Sequence, residues 1–141
     1  MTNEYNLPIP TITTEAKPFW DGLANNELLI PKCNDCGHMF MYPKAYCPNN
    51  GCFSSNLDWE KVSGVGKLFS YTIVHRAADV RFQEIASQEP YIFALVELKE
   101  GPKLITNLIN ADVNNVEVGM SVGIIFEKIN EDITLPKFQP L

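Results

Sequence analysis

Apolar and polar positions change rhythm twice along the chain. Residues 1–12 show little periodicity and carry Pro8 and Pro10, which predicts an extended arm. From about Thr14 to Asn25 the spacing is helical. Phe19, Trp20 and Leu23 gather on one side, Thr14 is available as a cap, and Glu15 suits the first turn. Pro18 is tolerated only in a first turn, which draws the start towards Lys17. Short strands follow over 27–32 and 39–43, on either side of a turn. Beyond residue 57 the period becomes two. Leu57–Val62 alternates, 67–75 is rich in Phe, Tyr, Thr, Ile and Val, and Tyr91–Leu98 is the strongest strand pattern. Glu100-Gly101 reads as a hairpin turn into 103–109, residues 110–119 as a polar connection, and Val122–Ile129 as the last clear strand.

About five strands with turns between them and no sustained helix fit a small Greek-key barrel of the OB type, with a sandwich as the alternative. Between two of these strands, Arg76–Glu89 is charged and weakly patterned, which predicts a long mobile loop. The final segment, Leu135–Leu141, holds two prolines and large apolar side chains, and reads as a tail that, with the first helix, docks on another subunit.

The four cysteines all lie in one window, as Cys33-Asn-Asp-Cys36 and Cys47-Pro-Asn-Asn-Gly-Cys52. Two thiols separated by two residues can point at one ion, and Gly37 lets the backbone turn behind the second. A second pair nearby completes a closed, structural four-sulfur zinc site. Disulfides need an oxidising compartment, which nothing in the opening residues suggests. Iron is the competing ion, because four thiolates also suit a one-iron redox centre. The second knuckle is wider than the tight form, but Pro48, Asn49, Asn50 and Gly51 are all turn formers. His38 reads as an exposed neighbour rather than a ligand. The chain divides accordingly into an arm and helix over 1–26, a zinc ribbon over 27–56, and an OB-fold domain with its tail over 57–141.

Composition narrows the choice of partner. The formal net charge is -6, so most of the surface repels phosphate backbones. The longest apolar run, Tyr91–Val96, is far short of the roughly 20 residues that span a bilayer. Met1-Thr2-Asn3-Glu4-Tyr5 has neither a basic stretch nor an apolar one, so no signal peptide and no membrane association are expected, and a cytoplasmic location is.

Several motifs in order then carry a resemblance: Lys17-Pro-Phe-Trp-Asp-Gly-Leu, Cys33-x-x-Cys36-Gly37, Tyr42-Pro43, Cys47-Pro48, Gly64-x-Gly66-x-x-x-Ser70-Tyr71-Thr72, Val96-Glu97-Leu98-x-x-Gly101 and Val118-Gly119-Met120-x-Val122. Over residues 15–129 the chain resembles the small proteins that join an N-terminal helix to a rubredoxin-like zinc ribbon and an acyl-CoA-associated OB-fold. The resemblance implies a mainly β protein and an accessory role. Such proteins form hetero-oligomers with thiolase-like enzymes (thiolases, acyltransferases, aldolases) or with hot-dog hydratases, and help to bind or pass acyl-CoA. The nucleophile belongs to the partner.

The residues agree with that division of labour. Covalent acyl transfer needs a nucleophile with a base, and every cysteine here is committed to metal. A four-thiolate zinc has no open position to activate water. His75 ends a strand without a partner motif, so no catalytic residue is assigned. Gly64-Val-Gly66 lacks the last glycine of a phosphate-cradling loop and reads as a bend or bulge. Arg76 and Arg81, with Lys67 or Lys103, are the candidate contacts for the anionic groups of coenzyme A. Two rival readings remain: an OB-fold nucleic-acid-binding module, with Phe69, Tyr71 and Phe93 as stacking faces, and electron transfer through iron.

Overall fold

A computed structural model describes residues 5–141; the extended arm expected over 1–12 lies outside them for residues 1–4. The first helix, α1, runs over Lys17–Ala24 with Pro18 in its first turn. Thr14 does not cap it. The Thr13 hydroxyl instead accepts from the Ala16 N–H at 3.3 Å, one residue earlier than the pattern implied. Phe19, Gly22 and Leu23 form its buried side. Gly22 is there for contact rather than flexibility, since a Cβ on it would come within 2.9 Å of Leu29 Cγ.

Strand β1 (Leu29–Cys33) pairs antiparallel with β2 (Leu57–Lys61) in a two-stranded sheet. The alternating segment 57–62, counted from sequence among the barrel strands, therefore closes the hairpin that carries the cysteine loops. The strand expected over 39–43 reduces to a single bridge between Lys32 and Met39, because the chain turns away at Tyr42-Pro43.

The barrel is built from β3 (Val65–Val74), β4 (Tyr91–Leu98), β5 (Lys103–Leu108), β6 (Ser121–Lys128) and β7 (Thr134–Pro140). Its closed order is β3-β4-β5-β7-β6. All neighbours are antiparallel except β5 and β7, which run parallel and share the single register pair Leu108 and Phe138. The five-stranded mainly β barrel was legible in the sequence; its membership was not. The segment read as a docking tail is its fifth strand, paired with β6 from Thr134 to Pro140. Phe138 is fully buried. Pro136 and Pro140 are tolerated because their missing N–H groups face β5, where no ladder requires them.

One further expectation changes and another holds. The stretch read as a long loop contains a helix, α2 (Val80–Gln88), whose N-cap Asp79 accepts from the Arg81 N–H. Gly64 sits at φ 74°, making the expected bend before β3, and a Cβ on Gly66 would run into the Glu97 carbonyl of β4. A bulge then shifts the β3–β4 register between Leu68 and Ser70.

One apolar core unites these pieces. Phe19 and Leu23 of α1, Ile30 of β1, and Leu68, Val96, Leu104, Val122 and Phe138 of the barrel belong to the same cluster. The apolar side of α1 is thus covered by its own chain rather than free for a partner. Each such buried side chain contributes about 1.5–3 kcal/mol relative to exposure. Among the described residues, no helix is long and apolar enough to cross a membrane.

Candidate metal centre

The β1–β2 hairpin carries two cysteine loops, which share a cavity with the Glu100–Lys103 turn of the barrel. Cys33 ends β1, and the turn after it closes with the Gly37 N–H donating to the Cys33 carbonyl at 2.8 Å. Gly37 reaches φ 78°, as the turn behind Cys36 requires. The wider second loop closes in the same manner. The Cys52 N–H donates to the Asn49 carbonyl at 3.0 Å, and Gly51 sits at φ 81°. The extra residues form a turn of their own and still return Cys52 to the cluster.

All four sulfurs lie within 4.8 Å of one another. Cys33 Sγ and Cys52 Sγ are 3.7 Å apart, and Cys36 Sγ and Cys47 Sγ 3.6 Å. A tetrahedron with zinc–sulfur bonds of about 2.3 Å has edges of about 3.8 Å, so the donor set fits one zinc ion. Disulfides are ruled out by the same distances, since that bond is about 2.05 Å long, and all four cysteines are free. Cys33 and Cys47 are buried, Cys52 is half-buried and Cys36 is exposed.

The surrounding groups suit thiolates. Backbone N–H groups of His38, Asn49 and Ser54 point at the sulfurs of Cys36, Cys47 and Cys52, and the Asn49 amide adds a second donor to Cys36 at 3.6 Å. The His38 N–H, helped by Asn49, lowers the Cys36 thiol from 9.0 to about 6. Burial pushes Cys47 up to about 12, so this is the sulfur whose charge most needs the ion. The His38 side chain is exposed, stacks on Phe40 at 6.1 Å between centroids, and takes no part in the cluster.

A polar clamp that sequence reasoning passed over ties the two loops. Asp35 accepts from the Ser54 hydroxyl and from the Asn56 amide, the latter at 3.3 Å, while the Asn34 N–H donates to the Asn56 carbonyl at 2.9 Å. The signal was the run of short polar residues beside each knuckle, which is easily mistaken for plain loop. With four sulfurs and no open position, the centre can hold a fold together but cannot activate water.

The four candidate coenzyme A contacts do not converge. Lys67 and Lys103 lie on the outer face of β3 and β5, on either side of Glu97. Lys103 pairs with Glu97 at 3.4 Å and lies 4.6 Å over the Phe69 ring. Arg76 follows the far end of β3, and Arg81 in α2 is tied to Asp79 at 2.8 Å. Lys67 and Arg76 belong to no ion pair among the described residues.

Comparison with known proteins follows the same two-part layout. Residues 20–58 match the rubredoxin-like zinc ribbon domain of ChsH2, and residues 59–127 its C-terminal OB-fold domain. The chain is 33% identical over 102 residues to a DUF35 domain-containing scaffold protein of Methanothermobacter thermautotrophicus, covering 72% of each. It is 32% identical over 135 residues to a "Probable enoyl-CoA hydratase alpha subunit" of Thermomonospora curvata, covering 94% of this chain but 40% of that longer protein. A solved chain described as "Ltp2-ChsH2(DUF35) aldolase" superposes with a TM-score of 0.81 at 30% identity, over 94% of this chain and 98% of that one.

Proposed function

The chain belongs to the DUF35 family, in which a ChsH2-type zinc ribbon is joined to an OB-fold domain, and from that membership we propose that it is a zinc-bearing accessory subunit of an acyl-CoA-processing enzyme. Its place is in a hetero-oligomer with a thiolase-like aldolase, thiolase or acyltransferase, or with a hot-dog hydratase, in the cytoplasm. The observation that carries this reading is the likeness along nearly the full length of the chain in the aldolase complex, ribbon and barrel together. The relative named as a hydratase alpha subunit supports the same class of partner.

The site chemistry agrees. A closed four-thiolate centre stabilises a docking module and offers no Lewis-acid position. Neither histidine stands in a nucleophile–base pair, so the reacting groups come from the partner. This subunit helps to bind or pass acyl-CoA, and Lys67 and Arg76 are the cations left free to meet its phosphates; Lys103 and Arg81 would first have to leave Glu97 and Asp79.

The test is affinity purification of the tagged chain from its native cell extract, with mass spectrometry and metal analysis of the same fraction. The expected result is one zinc per chain and a stoichiometric thiolase-like or hydratase subunit, with acyl-CoA turnover in the complex and none in the isolated chain. Elution alone, or with nucleic acid, would overturn the reading. Nucleic acid would favour base stacking on the exposed Phe69 and Phe93, which the net charge of -6 opposes.

A further inference from the structure

The one parallel pairing of the barrel is also its weakest seam. β5 and β7 share the single register pair Leu108 and Phe138, and beside it the Thr106 hydroxyl donates to the Pro136 carbonyl at 2.7 Å. A groove of about 480 Å³ lies over this seam, between it and α1 with the arm before it, walled by Trp20, Tyr42, Phe93, Ile105, Leu135 and Pro136. A smaller groove of about 200 Å³ lies on the other side of the seam, and Lys137 and Asn107 line both. The larger one has the size and the apolar walls of small-molecule sites, which run to about 300–1,000 Å³.

Lys137 is the feature that gives this groove a chemical preference. It is half-buried on β7, and its ammonium donates to Asn107 Oδ1 at 2.6 Å. Asn107 is held in turn by its Nδ2, which donates to the Ile92 carbonyl at 3.1 Å. That accounts for one of the three ammonium hydrogens. Among the described residues Lys137 is in no ion pair; Glu127, the carboxylate nearest in kind, shares the smaller groove with it but stands outside pairing distance. Burial accordingly holds the Lys137 ammonium below the usual lysine range, with Glu127 opposing that shift. A partly desolvated cation whose nearest carboxylate stands beyond pairing distance is only partly compensated, and an anion entering from the groove would complete that compensation.

We propose that the β5–β7 seam is a binding site for an apolar carboxylate, with the hydrocarbon body in the larger groove and the carboxylate on Lys137 Nζ beside Asn107. None of Lys67, Arg76, Arg81 and Lys103 lines this groove, so the site does not depend on coenzyme A or on the accessory-subunit reading. The chain selects free acids over neutral molecules of the same shape, because only the acid brings a charge within hydrogen-bonding distance of the ammonium.

Calorimetric titration of the zinc-loaded full chain with decanoate, and separately with 1-decanol, tests this. Decanoate is expected to bind saturably at one per chain and more tightly than decanol. Lys137→Met should weaken decanoate by about tenfold or more while leaving decanol unchanged, and Lys137→Arg should retain most of the affinity. Asn107→Asp, which gives the ammonium an internal partner without changing the size of the residue, should weaken decanoate as well and serves if Lys137→Met does not fold. Melting followed by circular dichroism verifies that each variant is folded. Absence of saturable binding, equal affinity for decanol, or decanoate affinity unchanged in folded Lys137→Met or Asn107→Asp would each overturn the proposal. A parallel titration with free coenzyme A bears only on the proposed function.

Discussion

The ribbon and the barrel solve the same problem by opposite means. Between Asn34 and Asn56 the buried side chains are Phe40 and Cys47, and the remaining order comes from turns, the Asp35 clamp and four sulfurs. The barrel buries Leu68, Ile92, Val96, Leu98, Leu104, Leu108, Val122 and Phe138 and needs no ion. A loop of that size cannot bury enough apolar area to offset its conformational entropy, whereas closed strands can. The difference shows what each part is free to do. A surface whose fold rests on a metal can dispense with apolar side chains inside and vary its outward ones.

The largest expected effect breaks this contrast directly. Removing zinc with a strong chelator, or replacing a ligand by Cys47→Ser, should disorder residues 33–56 and leave the barrel folded. Structural zinc supplies on the order of 10–16 kcal/mol in isolated fingers, far more than the clamp can replace. Amide NMR spectra would show ribbon resonances collapsing while those of β3–β7 persist. Collapse of both sets would mean that the core shared through Ile30 and Leu23 makes them one cooperative unit.

Within the ribbon, zinc-loaded protein should be alkylated first at Cys36. That sulfur is the exposed member of the set, whereas Cys47 is buried and should react last. Peptide mapping by mass spectrometry would reveal the order; simultaneous labelling of all four would mean that the ribbon opens as a whole before reacting.

On the barrel side, Phe138→Ala should cost about 3–5 kcal/mol while zinc content stays at one per chain. Denaturant unfolding with metal analysis on the same sample checks both halves of that statement. Loss of zinc along with stability would tie the ribbon to the barrel more closely than their separate means of support imply.

Phe138 also marks where sequence reading fell short. The cysteine spacing, the strong alternation of Tyr91–Leu98 and the helical spacing of Phe19, Trp20 and Leu23 are local signals, and each predicted its element. Thr134-x-Pro136-x-Phe138 alternates too, but prolines ordinarily exclude a strand from the interior of a sheet. Only the single parallel register pair with β5, a matter of tertiary geometry, makes them harmless. The pairing of β1 with β2 was hidden in another way. Their partner residues, such as Cys33 and Leu57, are separated by the whole cysteine loop, and nothing local announces so distant a register. Lys137 went unnoticed with its strand, so the seam groove was invisible as well.

The smallest expected effect concerns α2, the element of the barrel domain that most resembles the ribbon in its scarcity of buried side chains. Only Ala86 of its nine residues is buried, and its start depends on Asp79, whose side chain accepts from the Arg81 N–H at 2.9 Å. The Arg81 guanidinium, together with that N–H, lowers the Asp79 carboxyl from 3.8 to about 2. A carboxylate with a depressed folded value stabilises the helix above the unfolded value, and that support is lost as pH falls from 3.8 towards 2. Asp79→Ala should therefore speed hydrogen exchange over residues 80–88 at neutral pH while barely moving the melting temperature of the barrel. The variant and the parent should exchange alike once Asp79 is protonated. If the melting temperature falls as well, α2 belongs to the cooperative core, and scarce burial alone does not separate the two ways in which this chain is held together.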